Sequence, residues 1–279
     1  MTKRPIKIAT AQSFISQDVC KNGWEIRRLM KQARSAGTTL VHFPEGAISG
    51  YTKSQIKSWN HFDWDVLVHE LQAVVSLARE LGLWVVVGCC HRLTSPHRPH
   101  NSLYVISSHG ELITRYDKQF CSNTEITRFF TPGRQYCVFE VEGWRFGCAL
   151  CIEIHFPELF QKYAELGIDC LLFSSYSEES MFGIQAQGHA ASNNYWISIS
   201  VPAQTSHALS SRLVAPTGIV QAAAPAAISE LVLNQLDEDC PELEVALRFA
   251  KPWRAKARNG EIYRRCHVDD VRSDDRTRF

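Results

Sequence analysis

Residues 147–158 read GCALCIEIHFPE, and this stretch raises the first question about the chain. It holds two cysteines three positions apart, Cys148 and Cys151, followed by Glu153 and His155. Such a set suits a metal site, a redox pair or a single nucleophilic thiol. Which of the three applies depends on the residues that other parts of the chain place beside these two cysteines.

The local pattern favours a single nucleophile. The preceding residues, WRFGCAL, are predicted to form a strand, and alternation along it turns Cys148 to the opposite face from Cys151. Pro157 and Glu158 are typical of the first turn of a helix. Cys151 is therefore expected at a strand-to-helix turn, where backbone N–H groups favour its thiolate.

The two alternatives have weaker support. A redox CxxC keeps both thiols at the start of a helix, whereas here the first would be buried in a strand. A zinc site would have to recruit Cys89, Cys90 or His91, but the first two are adjacent rather than spaced as a knuckle. We therefore predict no metal at this site.

The composition excludes several classes of protein. The chain has 279 residues with 45% hydrophobic and 21% charged residues, which is ordinary for a globular protein, and its net charge of +1 gives no case for nucleic acid or an anionic membrane surface. No apolar run approaches the roughly 20 residues of a membrane helix. The opening residues MTKRPIKIATAQ contain no secretory signal, so a cytoplasmic location is expected, with most of the ten cysteines as reduced core thiols.

Three segments repeat one pattern, in which an amphipathic helix is followed by a glycine and an apolar strand. Gly37, Gly82 and Gly167 occupy the positions where a left-handed residue ends a helix. The strands after them are apolar on both faces, which is typical of sheet strands covered on both sides. Hairpins are interleaved with these units and no linker divides them, so we predict a single α/β domain over residues 1–279.

Two charged residues share with Cys151 a position at the end of a predicted strand. Glu45 ends the run TLVHFPE, and Lys118 follows LITRYD. Strand ends are where α/β folds place their sites. Taken singly, a glutamate or lysine at a strand end is more often a solvated cap than a site residue.

The three positions together resemble a known family. The blocks FPEGAISGY (43–51), RYDKQF (115–120) and GCALCIEIHFPE (147–158) are similar, in order and separation, to the signature blocks of the carbon–nitrogen hydrolase, or nitrilase, superfamily. The resemblance runs from IKIATAQ near the start to about residue 237. It implies a four-layer αββα sandwich.

The resemblance also implies roles for single residues. Cys151 would be the nucleophile, Glu45 the general base, Lys118 the electrostatic stabiliser and Glu125 a second glutamate at the site. Attack on an amide or nitrile carbon needs such a thiol, a base that takes and returns its proton, and a cation for the developing charge. The backbone N–H of Ile152 would join Lys118 in holding the oxyanion.

The expected activity is hydrolysis of a small amide or carbamoyl compound through a thioester, with release of ammonia or an amine. A true nitrilase and a catalytically weak binding protein of the same fold are the alternatives. No basic residue is clearly placed to hold a substrate carboxylate, which favours a neutral or cationic substrate. Besides Glu125 and Ile152, the candidates for the substrate pocket are Tyr51, Ser175, Tyr176 and Phe182.

Some residues depart from the family pattern. Ile152 stands where an aromatic residue is frequent, and Glu153 stands where aspartate is common. A later family segment reads GHAASNNYW (188–196), in which Asn194 is kept but the expected arginine and glutamate are not. These changes leave Glu45, Lys118 and Cys151 intact. They make the substrate of a relative a weaker guide to the substrate of this protein.

The resemblance finally implies assembly into a homodimer or a larger homo-oligomer, without an organic cofactor or a metal. The basic tail 251–279 contains Trp253, Ile262 and Tyr263 among weakly patterned residues. We expect this tail to pack at an oligomer interface.

Overall fold

The described part of the chain, residues 3–277 of a computed structural model, contains twelve β-strands and seven α-helices. The strands are β1 (Ile6–Gln12), β2 (Leu40–His42), β3 (Trp84–His91), β4 (His100–Ile106), β5 (Leu112–Asp117), β6 (Val138–Val141), β7 (Trp144–Leu150), β8 (Cys170–Ser174), β9 (Trp196–Ser200), β10 (Arg212–Val214), β11 (Val220–Ala223) and β12 (Glu230–Leu236). The helices are α1 (Val19–Ser35), α2 (Trp64–Leu81), α3 (Pro157–Glu165), α4 (Met181–Asn193), α5 (Lys251–Arg258), α6 (Glu261–Arg264) and α7 (Val271–Asp274).

The strands form two six-stranded mixed sheets. Their orders are β12-β1-β2-β3-β4-β5 and β11-β10-β9-β8-β7-β6. In each sheet three central strands are parallel, β1 to β3 in one and β7 to β9 in the other, while the outer strands pair antiparallel. The carboxyl ends of the parallel strands therefore lie together at one edge of each sheet.

The three helix–glycine–strand units predicted from the sequence are present. Asp63 caps α2 by accepting a hydrogen bond from the N–H of Val66, and Gly82 ends that helix with a φ of 60°. Gly37 and Gly167 follow α1 and α3 with φ of 75° and 70°. A residue with a side chain is strained in this left-handed region, which is why glycine ends these helices.

Buried side chains fill three layers and confirm the αββα prediction. Between the sheets lies a cluster that includes Val86, Phe146 and Cys148. Helices α1 and α2 cover the outer face of the first sheet, and α3 and α4 cover the outer face of the second. Hydrophobic residues in the central strands thus alternate between two apolar layers, as expected for strands covered on both sides.

Two local features differ from the sequence-based expectation. Helix α4 was not predicted; its apolar residues lack a clear helical period. Cys151 does not sit directly at the start of α3, because a 3₁₀-helix over Cys151–His155 comes first and α3 begins at Pro157. Cys151 is therefore the first residue of a short 3₁₀-helix rather than of α3.

The tail begins as a helix that docks on its own chain. Arg254 on α5 donates hydrogen bonds to the carbonyl oxygen of Ala191 and, at 2.8 Å, to Oδ1 of Asn194, the left-handed residue that ends α4. Arg258 donates to the carbonyl oxygen of Ser192 at 2.8 Å. Cations at the last carbonyls of a helix also interact favourably with its dipole. Asn194 thus anchors the tail, of which the last two residues lie outside the described range.

Within residues 3–277, no helix is both long enough and apolar enough to cross a membrane.

Candidate active site

Glu45, Lys118 and Cys151 meet at the strand ends of the two facing sheets. Glu45 follows β2, Lys118 follows β5 directly, and Cys151 follows β7 directly. Their exposed fractions are 0%, 1% and 7%. Solvated strand caps would be exposed, so burial rules out that interpretation of the two charged residues.

Lys118 joins two buried carboxylates. Its Nζ lies 3.1 Å from Oε1 of Glu45 and 2.8 Å from Oε1 of Glu125. Glu125 lies in a single π-helical turn, Glu125–Phe129, and its Oε2 accepts a 2.7 Å hydrogen bond from the N–H of Ser122. The structure therefore brings the second predicted glutamate into contact with the predicted cation.

Glu45 is held by a full set of donors. Besides Lys118, its Oε1 accepts a 2.7 Å hydrogen bond from Nδ2 of Asn101, and its Oε2 accepts a 2.9 Å bond from the N–H of Tyr176. Asn101 was not predicted from the sequence. The available signal was an asparagine at the start of the strand-like run NSLYVIS, since a buried asparagine requires a hydrogen-bond partner.

Gly88 allows the segment that carries Glu45 to approach strand β3. A Cβ atom at this position would collide with the carbonyl oxygen of Pro44 and would lie 2.6 Å from the nitrogen of Gly46. The N–H of Ile48 donates to the Gly88 carbonyl at 3.0 Å. Close backbone packing across a glycine thus fixes the path of residues 44–48 and, with it, the position of the carboxylate.

The electrostatics of the cluster keep the Cys151 thiol protonated at rest, so the thiolate that the sequence pattern favoured is not the resting state. Burial and the neighbouring Glu45 carboxylate raise the pKa of Cys151 to about 12, although the Lys118 ammonium acts in the opposite direction. Burial opposes the charge on Lys118, yet Glu45 and Glu125 hold the pKa of this ammonium well above its ordinary value. Burial likewise opposes ionisation of Glu125, but Lys118 outweighs it and lowers the pKa of that carboxyl. A neutral thiol beside a carboxylate needs a base before it can attack.

Cys151 has an unusual backbone conformation. Its φ is 49°, in the left-handed region that a residue with a Cβ rarely adopts. Such strain persists only where the surroundings enforce it, and it is frequent at functional sites. The Ser175 hydroxyl lowers the pKa of the thiol by its proximity, although it is buried without a hydrogen-bond partner of good geometry.

Glu153 ties together the two segments that flank the site. Its buried carboxylate accepts hydrogen bonds from the N–H groups of Gln119 at 2.7 Å and Phe120 at 3.1 Å. These two residues directly follow Lys118. The Glu153 carboxylate also accepts a 2.7 Å bond from the N–H of Leu150, which directly precedes the thiol. Burial raises the pKa of Glu153 to about 7, against the effect of these donors. Glu153 therefore aligns the segment that carries the ammonium with the segment that carries the thiol.

Tyr51 and Tyr176, two of the pocket candidates, form a stacked pair. Their ring centroids lie 4.4 Å apart, and Gln55 donates a 2.8 Å hydrogen bond to the Tyr176 hydroxyl. Burial and the charge on Glu45 raise the pKa of Tyr51, so this phenol stays neutral. The pair thus presents aromatic surface beside the carboxylate.

Phe182 and Ile152 are the two apolar candidates for the substrate pocket. Phe182 is buried and packs edge-on against the ring of His155, with ring centroids 5.2 Å apart. Ile152 directly follows Cys151 and is half-buried. Neither residue contributes a charge to the site.

The two cysteines of the opening stretch belong to different layers. Cys148 lies between the sheets, whereas Cys151 lies on the helix-covered side of the second sheet. All ten cysteines are free thiols. In the described residues, no three histidine, cysteine, aspartate or glutamate side chains are grouped to hold a metal ion.

Two facing mixed sheets with helices on their outer faces place the protein in the class of four-layer αββα sandwiches. More particularly, the chain belongs to the carbon-nitrogen hydrolase family, whose model matches residues 7–244. It is thus an enzyme that hydrolyses carbon–nitrogen bonds other than peptide bonds.

Two curated relatives are identical to this chain at about a quarter of the aligned positions. Deaminated glutathione amidase of Yersinia enterocolitica is 26% identical over 203 residues, which cover 67% of this chain and 69% of that protein. Omega-amidase NIT2 of Danio rerio is 22% identical over 210 residues, or 71% of this chain and 74% of the relative.

Solved structures show the same fold. An amidase from Nesterenkonia matches with a TM-score of 0.77 and 19% identity over 94% of this chain and 96% of that one. A cysteine-to-alanine mutant of that amidase in complex with butyramide also gives a TM-score of 0.77, at 20% identity over 93% of this chain and 96% of that one. Likeness at this identity carries the fold and not the substrate.

Proposed function

We propose that this protein is an amidase in which Cys151 forms a thioester with the acyl or carbamoyl group of a small amide. The observation that carries the proposal is the buried ion cluster in which Lys118 bridges Glu45 and Glu125 beside the thiol. Burying three charges is costly unless they are paired and used. The names of the two curated relatives, both amidases, support the same reaction.

The first half of the reaction forms the thioester. Glu45 takes the proton of the Cys151 thiol as Sγ attacks the carbonyl carbon, and the carbonyl oxygen becomes an oxyanion. The Lys118 ammonium and the N–H of Ile152 stabilise that negative charge. Glu45 then gives its proton to the amide nitrogen, the C–N bond breaks, and ammonia or an amine leaves.

The second half hydrolyses the thioester. Glu45 takes a proton from a water molecule, whose oxygen attacks the thioester carbon. The new oxyanion occupies the same position beside Lys118. When it collapses, the C–S bond breaks, the carboxylic acid leaves, and the proton on Glu45 returns to the thiol. The two half-reactions together return Glu45 and Cys151 to their starting protonation states and need no cofactor.

The charges around the thiol favour a neutral or cationic substrate. Glu45 and Glu125 contribute two negative charges and Lys118 one positive charge, so the ionised cluster is net negative. An anionic group near the reacting carbon would be repelled in this buried, weakly screened site. The stacked rings of Tyr51 and Tyr176 offer an apolar surface next to it.

The test is a panel of neutral amides, cationic amides, omega-amides of dicarboxylic acids, carbamoyl compounds and nitriles. Ammonia release is measured for the wild type, with Cys151→Ala as the background. Turnover of an amide supports the proposal. Turnover confined to nitriles would make the protein a nitrilase, and release equal to the background on every compound would indicate a binding protein.

Replacing Glu45 by glutamine is expected to lower the turnover number by about 10²- to 10⁴-fold, because the isosteric amide cannot shuttle the proton. The same change removes the negative charge that raises the pKa of Cys151. The thiol should therefore ionise at a lower pH while turnover falls. Iodoacetamide alkylation of Cys151 as a function of pH, followed by mass spectrometry, measures that pKa.

Glu111→Gln is the matched control for Glu45→Gln, because Glu111 is exposed in the hairpin between β4 and β5. It should leave both turnover and the pKa of Cys151 unchanged. Wild-type turnover in Glu45→Gln would contradict the role of this carboxylate as the base.

We also propose that the protein forms a homodimer or larger homo-oligomer through the tail and the helical segment before it. Val245, Phe249 and Trp253 are spaced four residues apart along continuous helix, and their exposed fractions are 72%, 63% and 53%. Side chains at this spacing share one side of a helix. An apolar stripe of this kind typically marks an interface with another protein surface.

Phe249→Glu is expected to shift the protein towards the monomer, because the charge would be buried in the proposed interface. The mass in solution is measured by size-exclusion chromatography with light scattering. Val68→Glu, at another exposed apolar position on α2, is the control and should keep the wild-type mass. A monomeric wild type, or equal masses for the two variants, would contradict the proposal.

A cytoplasmic location is part of the same proposal. Ten free thiols, eight of them buried or half-buried, suit a reducing compartment. Thiol chemistry at Cys151 also requires that this cysteine stays reduced.

A further inference from the structure

A chain of hydrogen-bonded side chains crosses the apolar layer between the two sheets. His42, on β2, is fully buried, and both of its ring nitrogens contact hydroxyl groups of the opposite sheet. Its Nδ1 lies 2.9 Å from Oγ of Ser198, and its Nε2 lies 2.7 Å from Oγ of Ser174. Thr10 on β1 extends the chain, with its Oγ1 2.7 Å from Oγ of Ser198.

The hydrogen bond from Ser174 to Phe43 fixes the direction of every other hydrogen bond in this network. Ser174 donates its only hydroxyl proton to the carbonyl oxygen of Phe43, 2.8 Å away. It must therefore accept from Nε2–H of His42. Burial lowers the pKa of His42 to about 3, so the ring is neutral and carries a single N–H. Nδ1 then accepts from Ser198, which in turn accepts from Thr10.

Both ends of the Ser174–Phe43 contact lead to the active site. Phe43 precedes Glu45 by two residues. Ser174 is followed by Ser175, which lies near the thiol, and by Tyr176, whose N–H donates to Glu45. The hydrogen-bonded network thus joins the end of β2, which leads to Glu45, to the end of β8, which leads to the Tyr176 N–H that anchors the Glu45 carboxylate. It lies in a layer whose other members are mostly apolar, where fully satisfied polar networks define one geometry.

We propose that His42 is a positioning residue, which through Ser174 and Phe43 holds Glu45 at the distance from Cys151 that proton transfer requires. The inference rests on the proposed function, in which Glu45 is the base. His42 touches neither substrate nor thiol. Its neutral ring donates from one nitrogen and accepts at the other, and an aliphatic side chain of similar size can do neither.

The test compares His42→Leu with Ser200→Ala. Ser200 pairs with Ser174 in the β8–β9 ladder, and its hydroxyl makes another hydrogen bond across the sheets, at 2.6 Å to the carbonyl oxygen of Ala11. That side-chain bond involves none of His42, Ser174 and Phe43, and alanine keeps the backbone of the ladder. Each variant loses a buried cross-sheet contact, so each is expected to be less stable. Only His42→Leu should lower the turnover number, by about 10- to 100-fold with an unchanged KM, because small misplacements of a reacting group cost rates of that order. Ser200→Ala should stay within about twofold of wild type.

A double variant tests whether the chain acts as one unit. His42→Leu and Ser174→Ala should lower the turnover number by similar factors, and combining them should add little. A double variant slower by the product of the two factors would mean that His42 acts independently of Ser174. That result would overturn the inference.

Two readouts do not need an identified substrate. In ¹⁵N NMR spectra, the Nδ1 of His42 should be unprotonated and Nε2 protonated, without titration between about pH 5 and 9. The pKa of Cys151, from alkylation rates, should fall in His42→Leu towards its value in Glu45→Gln, because the displaced carboxylate no longer raises it. Ser200→Ala should leave this pKa at the wild-type value.

These readouts distinguish a failure of the proposed amidase function from a failure of the proposed positioning role of His42. If no compound is hydrolysed faster by the wild type than by Cys151→Ala, the proposed function fails, and the pKa of Cys151 still decides the role of His42. If His42→Leu matches Ser200→Ala in that pKa and in any measurable turnover, the positioning role is wrong. A protonated Nδ1, or a His42 that titrates in this range, would also refute the network.

Discussion

Cys151→Ala is expected to lower the turnover number for amide hydrolysis by about 10⁴-fold or more, because removal of an attacking nucleophile leaves only binding and oxyanion stabilisation. Substrate affinity should change little, since alanine opens space beside Lys118 without adding charge. Ammonia release under saturating substrate measures the effect. The expected loss of rate is large because no thioester can form without the thiol, and the remaining path is direct attack by water on the amide.

Cys148→Ala is the matched control. Cys148 is a fully buried thiol three residues earlier in the chain, but it lies between the sheets. Its removal should cost about 1 kcal/mol of folding stability and leave turnover within about threefold of wild type. Full activity of Cys151→Ala with loss of activity in Cys148→Ala would reverse the assignment.

The covalent step has an independent measurement. Rapid acid quenching during turnover, followed by mass spectrometry, should find the acyl or carbamoyl adduct on the peptide that contains Cys151. The adduct should be absent in Cys151→Ala. Turnover without any adduct on that peptide would point to direct attack by water.

Lys118→Met is expected to lower both stability and rate. The change leaves Glu45 and Glu125 buried without their shared cation, and breaking a buried ion pair in this way costs about 3–5 kcal/mol. Loss of the positive charge that stabilises the oxyanion should lower the turnover number by at least about 100-fold. Urea unfolding and ammonia release measure the two effects separately.

The stability loss in Lys118→Met should depend on pH in a defined direction. In the wild type, Lys118 holds the pKa of Glu125 below its ordinary value, which contributes stability above the pKa of the unfolded chain. Without the cation, burial raises that pKa, so the variant loses stability as pH rises through it. The gap between wild type and variant should therefore be wider at about pH 8 than at about pH 4.5.

Lys162→Met is the control for this prediction. Lys162 and Glu165 form an ion pair at 3.0 Å, but their side chains are 44% and 49% exposed. Solvent screens such a pair, so the change should cost less than about 0.5 kcal/mol at either pH. An equal effect of the two lysine variants would show that burial of the Lys118 cluster does not govern stability.

Short-range patterns were sufficient to predict several parts of the site. Strand alternation separates Cys148 from Cys151, and the three layers of the core confirm that separation. The strand-end positions of Glu45, Lys118 and Cys151 also follow from local hydrophobic runs. Such features depend on neighbours within one element, which the sequence displays directly.

Long-range partners were beyond those patterns. Asn101 reaches Glu45 across 56 residues, and Glu153 reaches Gln119 across 34. Neither contact has a local signal that names its partner. The 3₁₀-helix after β7 was also missed, because the positive φ of Cys151 is imposed by its surroundings rather than by its type.

By itself the sequence determined which residues end the strands, which side of a strand each cysteine faces, and, through its three signature blocks, the family and the αββα fold. The tertiary structure alone decided which buried groups touch: the two carboxylates on Lys118, the donors around Glu45 and Glu153, and the cross-sheet chain through His42. The physical reason is that a periodic pattern reports which face of an element is buried. The order and stacking of the strands bring distant residues within hydrogen-bond distance, and burial then makes their charges and protons depend on one another.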